Sequence, residues 1–195
     1  RTVPFEPGQA TEENGVSLLR LPGPSPRYML VGQPSQITAI WEDCLPRASA
    51  TNHELWTLLD IRSGIPTVYA DTAESFVPQM VNMQMVDGVS FDKGCYVGQE
   101  IVARMKYLGT LKRRMYLARV DAKKQPLPGD EIYSPLDAES GQGHGNVVMS
   151  ARSGQGCYET LAVLNSSSHE NGNLHLESET GPALEFSAMP YQITD

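Results

Sequence analysis

Cysteine is scarce in this chain. There are three, Cys44, Cys95 and Cys157, with no Cys-x-x-Cys pair among them. An odd and scattered set argues against a disulfide framework and against a self-contained zinc or iron–sulfur site, and it suits a reducing, cytoplasmic setting. The four histidines, His53, His144, His169 and His175, show no ligand spacing, so no metal is expected. No apolar run approaches the length of a membrane helix, and no signal-peptide pattern is present. Basic charge is also short: 15 Lys and Arg stand against 23 Asp and Glu, a net −8. That balance argues against a general nucleic-acid binder; neither direct nucleic-acid contact nor a membrane is expected. An initiating methionine is lacking too, and a chain that starts on Arg1 reads as a fragment, a processed chain or a trimmed one.

What is present suits a globular fold. The 195 residues are 40% hydrophobic and 19% charged, enough for a real core. Residues 1–14 are polar and rich in Pro, Gly and Glu, and read as a loose leader. Val16 to Leu21 and Tyr28 to Val31 read as strands around a Pro-rich turn. Ser35 is placed to cap a helix running to about Leu45, with Ile37, Ile40, Trp41 and Leu45 on its apolar side. Asn52 is placed to cap a second helix bearing Leu55, Trp56, Leu58 and Leu59, stopped by Gly64 and Pro66. Residues 67–92 look irregular. This portion is α+β.

From Lys112 short apolar runs recur: Met115–Val120, Glu131–Tyr133, Asn146–Ser150, Tyr158–Leu164, Leu174–Leu176 and Leu184–Phe186. Turn clusters separate them, as in a small antiparallel barrel or sandwich. The run Gly141-Gln142-Gly143-His144-Gly145-Asn146 opens no helix and reads as a hairpin turn, not a phosphate cradle.

The densest stretch is Lys93-Gly94-Cys95-Tyr96-Val97-Gly98-Gln99-Glu100, continuing to Arg104. Ile101, Val102, Met105 and Leu108 follow at helical spacing, which predicts a helix from about Tyr96 to Leu108. Cys95 would then lie at or just before a helix N-terminus, where unpaired N–H groups and the dipole favour a thiolate. Lys93 and Arg104 would add positive charge. Between Asp92 and Arg114 six basic residues face two acidic ones, a local excess of four in an acidic chain. Such a patch is either a solvated face or an anion site.

This motif resembles the signature of the YgfZ-type folate-binding proteins, relatives of the T-protein (aminomethyltransferase) of the glycine cleavage system. The resemblance extends to Trp56-Thr57-Leu58-Leu59-Asp60-Ile61-Arg62-Ser63-Gly64-Ile65-Pro66, to Phe76-Val77-Pro78-Gln79-Met80, to Asn82-Met83-Gln84 and to Met189-Pro190-Tyr191. It is weakest before about residue 27. It implies a ferredoxin-like α+β portion over residues 1–111 followed by a small antiparallel β-barrel over 112–195. It also implies that full-length relatives carry a further N-terminal half that helps to line the folate cavity.

By the same resemblance, Cys95 and Lys93 form the reactive centre. Trp56, Tyr96, Gln99, Glu100 and Arg104 face tetrahydrofolate, with the flat indole of Trp56 offering a stacking face. The partners implied are folate and iron–sulfur enzymes, including tRNA-thiolating ones. Position 62 departs from the family. T-proteins place Glu there to hydrogen-bond the pterin, whereas Arg62 has donors only; Asp60 is the nearest substitute. Three readings stay open: a folate-dependent accessory of iron–sulfur enzymes acting through Cys95, an aminomethyltransferase, and a non-catalytic folate-binding or docking module.

Overall fold

The structure, a computed structural model, describes residues 2–107, 109, 111–140 and 144–193. Leu108, expected to close the helix after Cys95, lies outside them, as do residues 141–143 of the glycine-rich run. The fold is α+β. Strands β1 (Ala10–Glu13), β2 (Val16–Leu21) and β3 (Arg27–Val31) form an antiparallel meander. Helices α1 (Pro34–Cys44) and α2 (His53–Arg62) follow, and after a long irregular stretch comes α3 (Gln99–Tyr107). The second part holds β4 (Arg113–Asp121), β5 (Glu131–Tyr133), α4 (Pro135–Ser140), β6 (Gly145–Gly154), β7 (Cys157–Asn165), α5 (Ser166–Asn171), β8 (His175–Leu176) and β9 (Leu184–Ser187). No helix among the described residues is long and apolar enough to cross a membrane.

Three expectations need correction. The leader contains β1, which pairs with β2 from Ala10 opposite Leu19 to Glu13 opposite Val16. The cause is the two-residue turn Asn14-Gly15, both at positive φ (53° and 74°), a geometry that suits the twist of a hairpin. Helix α1 is not capped by Ser35. It starts at Pro34, whose fixed φ suits the first helical position, and Gln36 Oε1 accepts from the Gln33 N–H at 3.3 Å. Its apolar side is only partly covered: no residue of α1 is fully buried, Ile37 and Ile40 are half-buried, and Trp41 and Leu45 are exposed.

The third correction concerns α3, which begins at Gln99 and not near Tyr96. Gly98 takes φ 86°, a left-handed conformation that breaks helical continuity, so residues 95–98 stay outside the helix. Asn52, by contrast, caps α2 as its sequence suggests, its Oδ1 accepting from the Leu55 N–H at 3.3 Å. The left-handed Gly64 (φ 64°) ends that helix.

The six strands of the second sheet run in the order β8-β5-β6-β7-β4-β9. A bridge between His175 and Ala183, with Leu184 N–H donating to Leu174 O at 2.9 Å, brings the two end strands together. The sheet therefore curls round into a half-barrel. Residues alternate across β7. Ala162 and Leu164 point into the barrel with Ile132, Val147 and Leu174. Leu161 and Val163 point out and meet Leu58 and Ile61 of α2, together with Val81 and Met115. This outer cluster fastens α2 to the barrel. Ile61 is fully buried there, a burial that contributes about 1.5–3 kcal/mol.

Candidate functional site

The Cys95 loop and α3 are held by few contacts. Val102 is the one buried residue of α3. Beside it, the buried side chain of Gln79 donates from Nε2 to the Val102 carbonyl at 2.6 Å. Gln79 sits in the Phe76–Met80 stretch and is the residue that docks the helix, a role its sequence neighbourhood does not announce. With α3 anchored along one stripe, Ile101, Arg104, Lys106 and Tyr107 face outward.

The start of α3 is organised locally. Gln99 Oε1 accepts from the Tyr96 N–H at 3.2 Å, tying the loop to the first helical residue. Lys93 Nζ stands 4.6 Å from the centroid of Tyr96, and Lys106 Nζ stands 3.8 Å from that of Phe91. The first contact is internal to the loop, and the second folds the loop back on the helix. Cys95 is exposed and lies four residues ahead of Gln99, outside the first turn where the dipole acts most strongly. An exposed thiol can meet a large reactant, and as a thiolate it is a nucleophile or a metal ligand. Cys44 is also exposed, while Cys157 is half-buried beside Ser153 Oγ at 3.2 Å.

Trp56 belongs to a second group, on α2. It is half-buried, and the guanidinium carbon of Arg27 lies 5.2 Å from its ring centroid. Arg27 also donates from Nη1 to Asp60 Oδ1 at 2.5 Å and from Nη2 to Ser63 Oγ at 3.0 Å. Trp56 and Asp60 are one turn apart and share a helix face. Arg62 turns the other way, where Glu159 of β7 takes its Nε at 2.9 Å and its Nη2 at 2.6 Å. That hydrogen bonding raises the Arg62 pKa still further, so the fork stays charged.

The expected residues therefore fall into two sets. Lys93, Cys95, Tyr96, Gln99, Glu100 and Arg104 share the loop and α3. Among the described residues, no hydrogen bond, ion pair or ring contact joins them to Trp56. A separate cavity of about 220 Å³ is lined by Pro66 and Val68 after α2, by Phe76, Pro78 and Met83, and by Val89 ahead of the Cys95 loop; no residue of either set lines it.

The donor set fits tetrahydrofolate. Trp56 offers an aromatic face, and the second carboxylate oxygen of Asp60, a side chain 19% exposed, takes no hydrogen bond among the described residues. A pterin edge presents N–H groups that such an oxygen accepts.

No family model matches the chain. Curated relatives do. The chain is 33% identical over 184 residues to a tRNA-modifying protein YgfZ of Pectobacterium atrosepticum, which covers 94% of the chain and 55% of the relative. It is 31% identical over 192 residues to the protein of that name from Sodalis glossinidius, covering 98% of the chain and 58% of the relative. It is 32% identical to that of Colwellia psychrerythraea, again over 98% and 58%. The chain thus spans a little over half the length of these relatives.

Proposed function

Starting from a chain of YgfZ type over the part of those proteins that it spans, we propose that it serves tRNA modification as a tetrahydrofolate-binding accessory of iron–sulfur enzymes. Cys95 is its reactive group. The observation that carries this reading is the placement of Cys95: an exposed thiol at the tip of a folded-back loop, flanked by Lys93 and Tyr96 in cation–π contact. The names of the relatives, tRNA-modifying proteins, support the biological setting.

In this reading Trp56 stacks on the ring of the folate and Asp60 accepts from its edge, while Arg104 and Lys93 favour its anionic tail. Bound tetrahydrofolate would supply one-carbon chemistry. The chain's own contribution is to bind and orient it and to present a thiol. Aminomethyl transfer of the T-protein kind is disfavoured, because Arg62 is a donor and is spent on Glu159.

One observation favours a docking module instead. Val97 is 102% exposed and Ile101 58% exposed, two and six residues after Cys95, apolar surface of a kind suited to a protein partner. Calorimetric titration of tetrahydrofolate into the full-length protein separates the two. Binding that Trp56→Ala weakens and Cys95→Ser leaves intact supports the folate reading. Absence of binding to the wild type contradicts it and leaves docking ahead.

A further inference from the structure

Arg27 stands in no motif. It opens β3 directly after the Pro-rich turn, yet it is only 5% exposed. Its guanidinium has three partners in two segments: Asp60 Oδ1 at 2.5 Å and Ser63 Oγ at 3.0 Å at the end of α2, and the Pro22 carbonyl at 3.1 Å in the turn. Ser63 Oγ in turn donates to the Leu59 carbonyl at 2.6 Å, which fixes its own lone pairs toward Arg27. The turn closes tightly over this cluster. At Gly23 (φ 134°) an added Cβ would fall 2.2 Å from Ser63 Oγ. A cation held this firmly leaves its neighbours little freedom.

Those neighbours are Trp56 and Asp60. The same guanidinium lies over the indole, 5.2 Å from its centroid, and takes one of the two Asp60 oxygens. One acceptor atom of Asp60 is left, in a fixed orientation, beside an aromatic ring. An acceptor beside a ring receives the N–H edge of a flat molecule and rejects an edge that offers only lone pairs.

We infer that Arg27 is the positioning residue of this end of the site, setting Trp56 and Asp60 to select planar heterocycles with N–H donors along one edge. The inference rests on the folate reading, and it makes the pterin ring, not the aminobenzoyl-glutamate tail, the part that Arg27 controls.

The test compares two probes on the full-length protein: tetrahydrofolate, and p-aminobenzoylglutamate, which lacks the pterin. Arg27→Met should cost roughly ten- to hundredfold in tetrahydrofolate affinity, because Asp60 loses the orientation in which it accepts a charge-assisted hydrogen bond from the pterin, and leave the fragment within about twofold. Asp60→Asn should fold normally, since its amide oxygen still accepts from Arg27. Its NH₂ would replace the free acceptor with a donor, and the preference for tetrahydrofolate over the fragment should fall by a similar factor. Because Arg27 acts through Asp60, the double variant should be little worse than either single one.

If Arg27→Met weakens both probes equally, or if both single variants keep the wild-type preference, Arg27 is only a structural rivet and the inference is overturned. Should Arg27→Met not fold, Arg27→Lys, which keeps the charge and loses the planar fork, takes its place in the same comparison and is judged by the same outcomes. A wild-type protein that binds neither probe overturns the folate reading itself.

Discussion

Arg62 on α2 and Glu159 on β7, 97 residues apart, are joined by two parallel hydrogen bonds of 2.9 and 2.6 Å. The pair links the helix that carries Trp56 to the barrel wall. Its side chains are 45% and 19% exposed, so solvent screens much of the attraction. Arg62→Ala should therefore lower the unfolding free energy by about 1 kcal/mol, more than a typical surface pair, because the fork is bidentate. Urea denaturation measures this. The exchange Arg62→Glu with Glu159→Arg should recover most of the loss that either single reversal causes.

A second relationship fixes the C-terminal segment. Tyr191 OH donates to the Gly64 carbonyl at 2.9 Å and lies 3.4 Å from Asn82 Nδ2, its donor. Burial raises the Tyr191 pKa, with the Asn82 hydrogen bond opposing. A raised pKa in the fold means that the neutral phenol is favoured there. Its contribution is complete below the unfolded value of ~10 and is lost as the pH climbs through the folded one. Stability should fall on the alkaline side of pH 10, and Tyr191→Phe should flatten that fall while costing about 1 kcal/mol at neutral pH. Gly64→Ala should be worse, because φ 64° disfavours a side chain and its Cβ would meet the Tyr191 ring at 2.6 Å.

His169 gives the opposite pH response. Its ring stacks on Tyr116 with centroids 3.8 Å apart, and burial lowers its pKa despite the nearby charge of Glu170. The fold binds fewer protons here than the unfolded chain does. Stability is complete above the unfolded value of ~6.5 and declines as the pH falls from there through the folded value. His169→Phe keeps a ring in place and should remove that part of the acid slope. Thermal unfolding of both proteins between pH 8 and about pH 5 tests it, across the ordinary range of histidine.

The chain's span, a little over half the length of its relatives, makes a further prediction. This chain alone should bind tetrahydrofolate more weakly than the full-length protein, since less of the ligand surface is buried. Tryptophan fluorescence follows both, with Trp56→Ala retaining only the exposed Trp41 as a control. Equal affinities would place every binding residue within this chain.

The barrel strands were legible because a half-buried sheet writes its alternation into the sequence; β5 matches the run Glu131–Tyr133 residue for residue. Strand β1 was hidden by its polar composition, Ala-Thr-Glu-Glu, although the Asn14-Gly15 turn beside it carried the signal. The late start of α3 turned on one glycine conformation, which residue type alone does not fix. Arg27 and Gln79 were out of reach for another reason. Their partners lie 33 and 23 residues away, and a buried polar contact at that separation leaves no local pattern. The Cys95 motif was legible as a resemblance; its exposure and the cation–π contacts that shape its loop were not.

The central claim is that Cys95 acts chemically. Cys95→Ser keeps the size of the side chain and its weak hydrogen bonding but removes the ionisable sulfur. The exposed position predicts little effect on folding. Full-length Cys95→Ser, expressed in cells that lack the endogenous protein, should leave thiolated tRNA under oxidative stress at the level of cells with no copy at all. Its calorimetric affinity for tetrahydrofolate should stay close to that of the wild type. Wild-type levels of thiolated tRNA with Cys95→Ser, folded and normally expressed, would contradict the account.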